Sequence, residues 1–144
     1  MIKLSTVHLN MKVKALLPLF SLLITLACHT PQKAQTPAPF VTWKQKMIEL
    51  GTVKKGEKRS MAFEFANTSG DNIQIDIVDA CDCTKVDFPR GVIPPGQSER
   101  LNVTFDSTEK DASETITINV IFKNVQAGGI PYIERVEYKF DLVK

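Results

Sequence analysis

"VEYKFDL", residues 136 to 142, places Val136, Tyr138, Phe140 and Leu142 at every second position, with Glu137, Lys139 and Asp141 between them. A period of two belongs to a β-strand, whose successive side chains point to opposite faces. Wound into a helix, the same residues would scatter charge and apolar surface around the whole circumference. The stretch reads as a strand with one buried face and one wet face.

The same period recurs upstream. Met61, Phe63 and Phe65 alternate with Ala62 and Glu64; Ile73, Ile75 and Ile77 with Gln74 and Asp76; Leu101, Val103 and Phe105 with Asn102 and Thr104; Ile116, Ile118 and Val120 with Thr117 and Asn119. Turn-forming residues separate these runs: "NTSGDN" at 67–72, "PPG" at 94–96, "STEKDAS" at 107–113 and "QAGG" at 126–129. A further strand is expected around Val41 to Leu50, and no stretch has the pattern of a long amphipathic helix. One-faced strands need a second sheet to cover them. The fold expected is therefore an all-β, immunoglobulin-like sandwich of about seven antiparallel strands over residues 40–144. Phe63, Phe65, Ile75, Val103, Ile118 and Phe140 are its expected core.

The 144 residues suit one domain, and the formal charge of +2 has a local origin. Lys3, Lys12 and Lys14 all precede residue 28, where no acid stands; without them 15 of the 18 basic side chains face 16 acidic ones. A nucleic-acid partner, which calls for clustered cations, is not expected. Lys54, Lys55, Lys58 and Arg59 do cluster, but around Gly56 and Glu57 they read as a solvated turn.

Ahead of the sandwich, Lys12 and Lys14 introduce the apolar run "ALLPLFSLLITLA" at 15–27, too short to span a bilayer and interrupted by Pro18. This is the pattern of an export signal. Its end, "TLAC", resembles the lipobox of bacterial lipoproteins, with Thr25 where Leu is usual. The resemblance implies that residues 1–27 are removed and that Cys28 carries lipid. Residues 28–39, "CHTPQKAQTPAP", are rich in Pro, Thr, Gln and Ala, a composition that cannot bury a core and reads as a flexible spacer. The expected location is the bacterial cell envelope, lipid-anchored and facing the periplasm or the cell surface.

Catalytic chemistry finds few components. The two histidines, His8 and His29, lie outside the expected sandwich, and no phosphate-cradling glycine loop occurs. The chain is not expected to be an enzyme. One short motif, "DACDCT" at 79–84, holds two of the three cysteines, Cys81 and Cys83. Two thiolates without histidine fall short of a structural zinc site, whereas copper(I) accepts two. In an oxidising compartment a disulfide is the default for neighbouring cysteines, although an extended i, i+2 pair sits near the upper limit of separation. A disulfide, two packed thiols, a copper(I) site and a redox pair all remain open. If the alternation of Ile73, Ile75 and Ile77 continues without a bulge, both sulfurs face the core at a strand end while Asp82 points outward. The tripeptide "DST" at 106–108 resembles a short O-glycosylation motif of Bacteroidetes and is read here as a turn.

The ordered set "LGTVKKGE" (50–57), "FEFANTSG" (63–70), "ACDCT" (80–84), "IPPGQS" (93–98) and "VTFD" (103–106) resembles the bacterial family known as domain of unknown function 1573, over about residues 45–123. The resemblance implies an Ig-like fold in an exported, often lipidated protein, frequently from Bacteroidetes. Family members commonly carry Cys-Gly-Cys-Thr, so Asp82 stands where Gly is usual. A position needing positive φ there would strain Asp. The functional expectation is a non-enzymatic binding or assembly module that contacts the membrane through its anchor and, beyond it, another envelope protein. The alternative is a copper(I)-handling or thiol-redox protein acting through Cys81 and Cys83.

Overall fold

The computed structural model describes residues 39–144; the proposed signal, Cys28 and nearly all of the spacer lie outside the described residues. Eight strands form: β1 (Val41–Trp43), β2 (Met47–Lys54), β3 (Lys58–Asn67), β4 (Ile75–Asp79), β5 (Thr84–Asp87), β6 (Ser98–Asp106), β7 (Glu114–Val125) and β8 (Pro131–Val143). They divide into two four-stranded sheets, ordered β1-β3-β6-β5 (sheet A) and β2-β8-β7-β4 (sheet B). Sheet A's inward side chains meet sheet B's to make one core. Phe63, Phe65, Ile75, Val103, Ile118 and Phe140 are all buried in it, beside Phe105, Phe122 and Tyr138. The sandwich is the architecture the alternation demanded.

Two expectations about the strands need correction. The strand expected over Val41 to Leu50 is two strands on different sheets, so the total is eight rather than seven. Lys44 N still donates to Glu64 O on sheet A, whereas Lys46 O accepts from Glu137 N on sheet B, so the chain changes sheets across three residues. Glu134 fixes this crossing by accepting from both Trp43 Nε1 at 3.1 Å and Lys46 Nζ at 2.8 Å. Nor are all the strands antiparallel, because β2 runs parallel to β8, with a bulge between Glu49 and Thr52 where Gly51 adopts φ 65°.

The third correction concerns Ile73, Ile75 and Ile77. Ile73 and Ile75 are buried, but the register against β7 shifts between Ile75 and Ile77. The bulge flips the period, so Ile77 is 55% exposed and Val78, not Ile77, turns toward the core. The strand then ends at Asp79, and Cys81 and Cys83 lie in a turn rather than on its inward face.

The basic turn pairs with acids: Lys55 reaches Asp111 at 2.7 Å, Lys58 reaches Asp106 at 3.0 Å, and Arg59 lies 2.9 Å from Glu57. The "DST" turn is built inward. Ser107 is fully buried, and its hydroxyl lies 2.8 Å from Lys54 O and 2.9 Å from Glu57 O. That hydroxyl serves the turn and is not offered to solvent.

Candidate functional site: the Cys81–Cys83 corner and the β4 edge

The chain leaves sheet B at Asp79 and joins sheet A at Thr84, so residues 80–83 form a corner between the sheets. Thr84 N donates to Cys81 O at 2.8 Å, closing a four-residue turn with Asp82 and Cys83 at its centre. Asp106 N then donates to Cys83 O at 2.9 Å, extending the ladder from β6 to the corner. The turn brings the two Cα atoms to 5.2 Å, within the ordinary range for a disulfide, and the sulfurs are bonded to each other. Both cysteines are half-buried against the core, and Asp82 is exposed. Among the described residues only glycines have positive φ, so Asp82 occupies the usual glycine position without strain.

The threonine of the motif joins the corner to the opposite sheet. Thr84 Oγ1 lies 3.2 Å from Cys81 Sγ, 3.5 Å from Cys83 Sγ and 2.6 Å from the hydroxyl of Tyr138 on β8. Disulfide sulfurs carry no proton and can only accept. Both hydroxyl protons are used when Tyr138 donates to Thr84 and Thr84 donates to Cys81. Tyr138 is fully buried, and burial pushes its hydroxyl up to about 12, with the Thr84 hydrogen bond opposing the shift and Glu114 adding to it. Asp106 flanks the corner. Bonds from the Thr108 hydroxyl and backbone N–H, then Lys58, hold its carboxyl down at about 2.

Copper(I) or thiol exchange would require this disulfide to be opened first. No group of three or more His, Cys, Asp and Glu side chains among the described residues is placed to hold a metal ion.

The two outer faces differ. Sheet A presents Ser60, Glu64, Arg100, Asn102, Lys85 and Asp87, a solvated polar surface. Sheet B places Ile77, Ile121 and Ile133 directly across from one another on β4, β7 and β8. Below that row Asn119 bonds Asp79 and Arg135, restoring polarity. β4 is the edge of sheet B, so Ile77 stands at an open strand, between Asp76 and Asp79. The sequence alone concealed this row, because the bulge that turns Ile77 outward leaves no mark in the alternation.

Residues 41–134 match the family described as "Protein of unknown function (DUF1573)", and the chain belongs to that family. No curated protein matches the chain. Among solved structures, the ASH/PapD-like domain 7 of human CEP192 is similar at 11% identity and TM-score 0.60, over 94% of this chain and 98% of that one. A protein of unknown function from Porphyromonas gingivalis is similar at 22% identity and TM-score 0.59, over 76% of this chain and 50% of that one. The VesB protease of Vibrio cholerae shares 15% identity and a TM-score of 0.58, over 71% of this chain but only 32% of its own length. At these identities the likeness is one of fold.

Proposed function

We propose that the protein is a lipid-anchored protein of the bacterial envelope whose sandwich is a non-enzymatic binding or assembly module for another envelope protein. In this reading Cys28 carries the lipid and residues 29–39 are the tether. The partner adds an extended segment to the free edge of β4. The carrying observation is that open edge, with exposed Ile77 and the Ile121 beside it on the same face. An edge strand offers unpaired backbone donors and acceptors, and proteins blunt such edges when they are not used. Asp76 and Asp79 oppose the pairing of two identical copies, since each would bring its own acids to the other's. The same acids favour a partner strand that alternates apolar and basic side chains.

The test is capture from native membranes with the anchor intact, comparing the unaltered chain with Ile77→Lys. A specific co-purifying envelope protein that is lost on Ile77→Lys, while the melting temperature holds, supports the edge reading. A partner retained by that variant overturns it. Separately, Cys28→Ser should release a folded protein from membranes, because a polar spacer carries no membrane affinity. Retention of that variant after a high-salt wash would refute the anchor.

A further inference from the structure

The exposed large aliphatic side chains are not spread evenly. Val92, Val125 and Ile130 are 57%, 55% and 62% exposed, and all three stand at one end of the sandwich. Val125 and Ile130 frame the β7–β8 turn, closed by Gln126 N donating to Ile130 O at 2.8 Å, with Gly128 and Gly129 at φ 101° and 81° supplying its tight bend. Val92 belongs to the adjoining loop, fixed beside β7 by the Ile73–Ile93 bridge and by Lys123 N donating to Gln74 O at 2.9 Å. Ile133, 57% exposed, forms the shoulder of this surface.

One polar side chain nearby, Asn124, is used on the loops themselves. Asn124 accepts from Gln74 N at 3.2 Å and donates to Asn72 O at 2.9 Å. Exposed Lys123, Arg90 and Asp71 stand beside the patch, two cations and one acid, with Arg90 O accepting from Gln74 Nε2 at 2.8 Å. The end of the domain is therefore left with an aliphatic tip beside a mixed charged rim.

The chain enters the sandwich at the same place. Phe40 stacks on Tyr132 with ring centroids 3.8 Å apart, meets Phe122 edge-on at 5.0 Å, and accepts from Ser69 N through its carbonyl. Eleven residues, 29–39, separate Cys28 from Phe40. If those residues are the tether proposed above, a chain of that composition and length has an end-to-end distance of roughly 20 Å. The 12 residues of β7 alone span roughly 40 Å, from this end to the opposite one. A lipid at Cys28 keeps this end near the bilayer and the far end away from it.

We infer that the Val92–Val125–Ile130 tip is a membrane-docking surface that rests on the lipid bilayer holding the anchor. The inference rests on the lipid-anchored reading above. Docking needs little intrinsic affinity, because the tether makes the contact intramolecular. It also orients the domain, turning the Cys81–Cys83 corner at the other end away from the membrane and leaving the β4 edge to run between them.

The test uses the full lipidated protein, purified from membranes in detergent and reconstituted into vesicles of phosphatidylethanolamine and phosphatidylglycerol. Flotation with the vesicles examines the anchor by itself; a chain that does not float refutes the anchored reading and with it this inference. For a chain that floats, Ile130→Trp reports on the tip. Brominated acyl chains should quench most of the added indole's emission, and the emission should shift to the blue on reconstitution. Val92→Ser combined with Val125→Ser, in the same reporter background, should lose most of that quenching while still floating. Emission that stays unquenched in a floating protein overturns the inference. So does a blue shift that follows protein density rather than bromination, which would assign the tip to a second copy of the chain.

Discussion

The hydroxyls of Thr84 and Tyr138 lie 2.6 Å apart, and they belong to different sheets. This is a polar bridge across an apolar core, where the Phe105 ring lies 5.3 Å from that of Tyr138 and 4.5 Å from that of Phe140, centroid to centroid. It gives the threonine of the Cys-x-Cys-Thr motif a physical reason. The corner is held to β8 by the residue that follows the disulfide.

Removing one partner of this bridge should cost more than removing both. Thr84→Val leaves the Tyr138 hydroxyl buried and unpaired, at a cost of about 1–3 kcal/mol. Tyr138→Phe strands a less buried hydroxyl that can still turn to Cys81, and should cost about 0.5–1.5 kcal/mol. The double variant should be less destabilised than the sum of the two, as denaturant unfolding of all four chains measures. Strict additivity would mean that the short contact contributes no coupling.

The same tyrosine sets an alkaline limit. Its proton is held in the folded state up to about 12, against an ordinary value of 10.0. Between those values the unfolded chain binds fewer protons than the folded one, so stability falls as pH rises through the window and is fully present below it. Unfolding from about pH 9 to about pH 11.5 should show this decline in the parent and a shallower one in Tyr138→Phe. Equal slopes would remove Tyr138 as the cause.

What the sequence could reveal follows from what alternation encodes. Phe63, Phe65, Val103, Ile118 and Phe140 were legible because charged or polar neighbours mark the opposite face of each strand. β5, "TKVD", is four residues long and has too little pattern to register. The sheet change at Lys44–Lys46 was hidden because "KQK" is polar in either sheet, and the parallel pairing of β2 with β8 is a matter of topology, not of local pattern. The β4 bulge altered the reading most. One inserted residue moved Ile77 to the surface and freed the cysteines from the strand, and no residue type announced it. The Cys81–Cys83 pair was conspicuous in the sequence, but the bond from the neighbouring Thr84 to Tyr138, 54 residues farther on, was not.

The cysteine pair should matter modestly to stability. The disulfide closes a loop with a sequence separation of only 2, so it restricts the unfolded chain little. Replacing both cysteines with Ser should cost about 1–2 kcal/mol, through lost packing against the core and hydroxyls that lack good partners. It should leave capture of the envelope partner unchanged. Reduced protein titrated with copper(I) against a competing chelator should show no tight one-to-one uptake. Uptake that disappears in the double Ser variant would transfer the function to the copper reading.

Asn67 supplies the most exacting test of the loops at the end where Phe40 enters the sandwich. It is buried, and every polar group it has is engaged. Its Nδ2 donates to Asp71 O at 2.8 Å and Ile93 O at 2.9 Å, while Oδ1 accepts from Ser69 N at 3.0 Å and Ser69 Oγ at 2.7 Å. Its backbone donates to Gln97 O at 3.0 Å and accepts from Gly96 N at 2.8 Å. One side chain thus holds the 67–73 turn against the 93–97 loop. Asn67→Ala should cost about 2–3 kcal/mol, because two carbonyls and two donors lose their partner together. Asn67→Asp keeps the size and the accepting oxygen but aims a carboxylate at the Asp71 and Ile93 carbonyls, so near neutral pH it should be the worse of the two. Protonation restores one donor. The folded state therefore raises that carboxyl's pKa, and the stability it contributes is present at low pH and lost as pH rises through the folded value. The gap between the Asp and Ala variants should close, and then reverse, on acidification toward about pH 4. Thermal melts of both variants across that range decide it, and an Asp variant that never overtakes the Ala variant would place the loss in packing rather than in the hydrogen bonds of Nδ2.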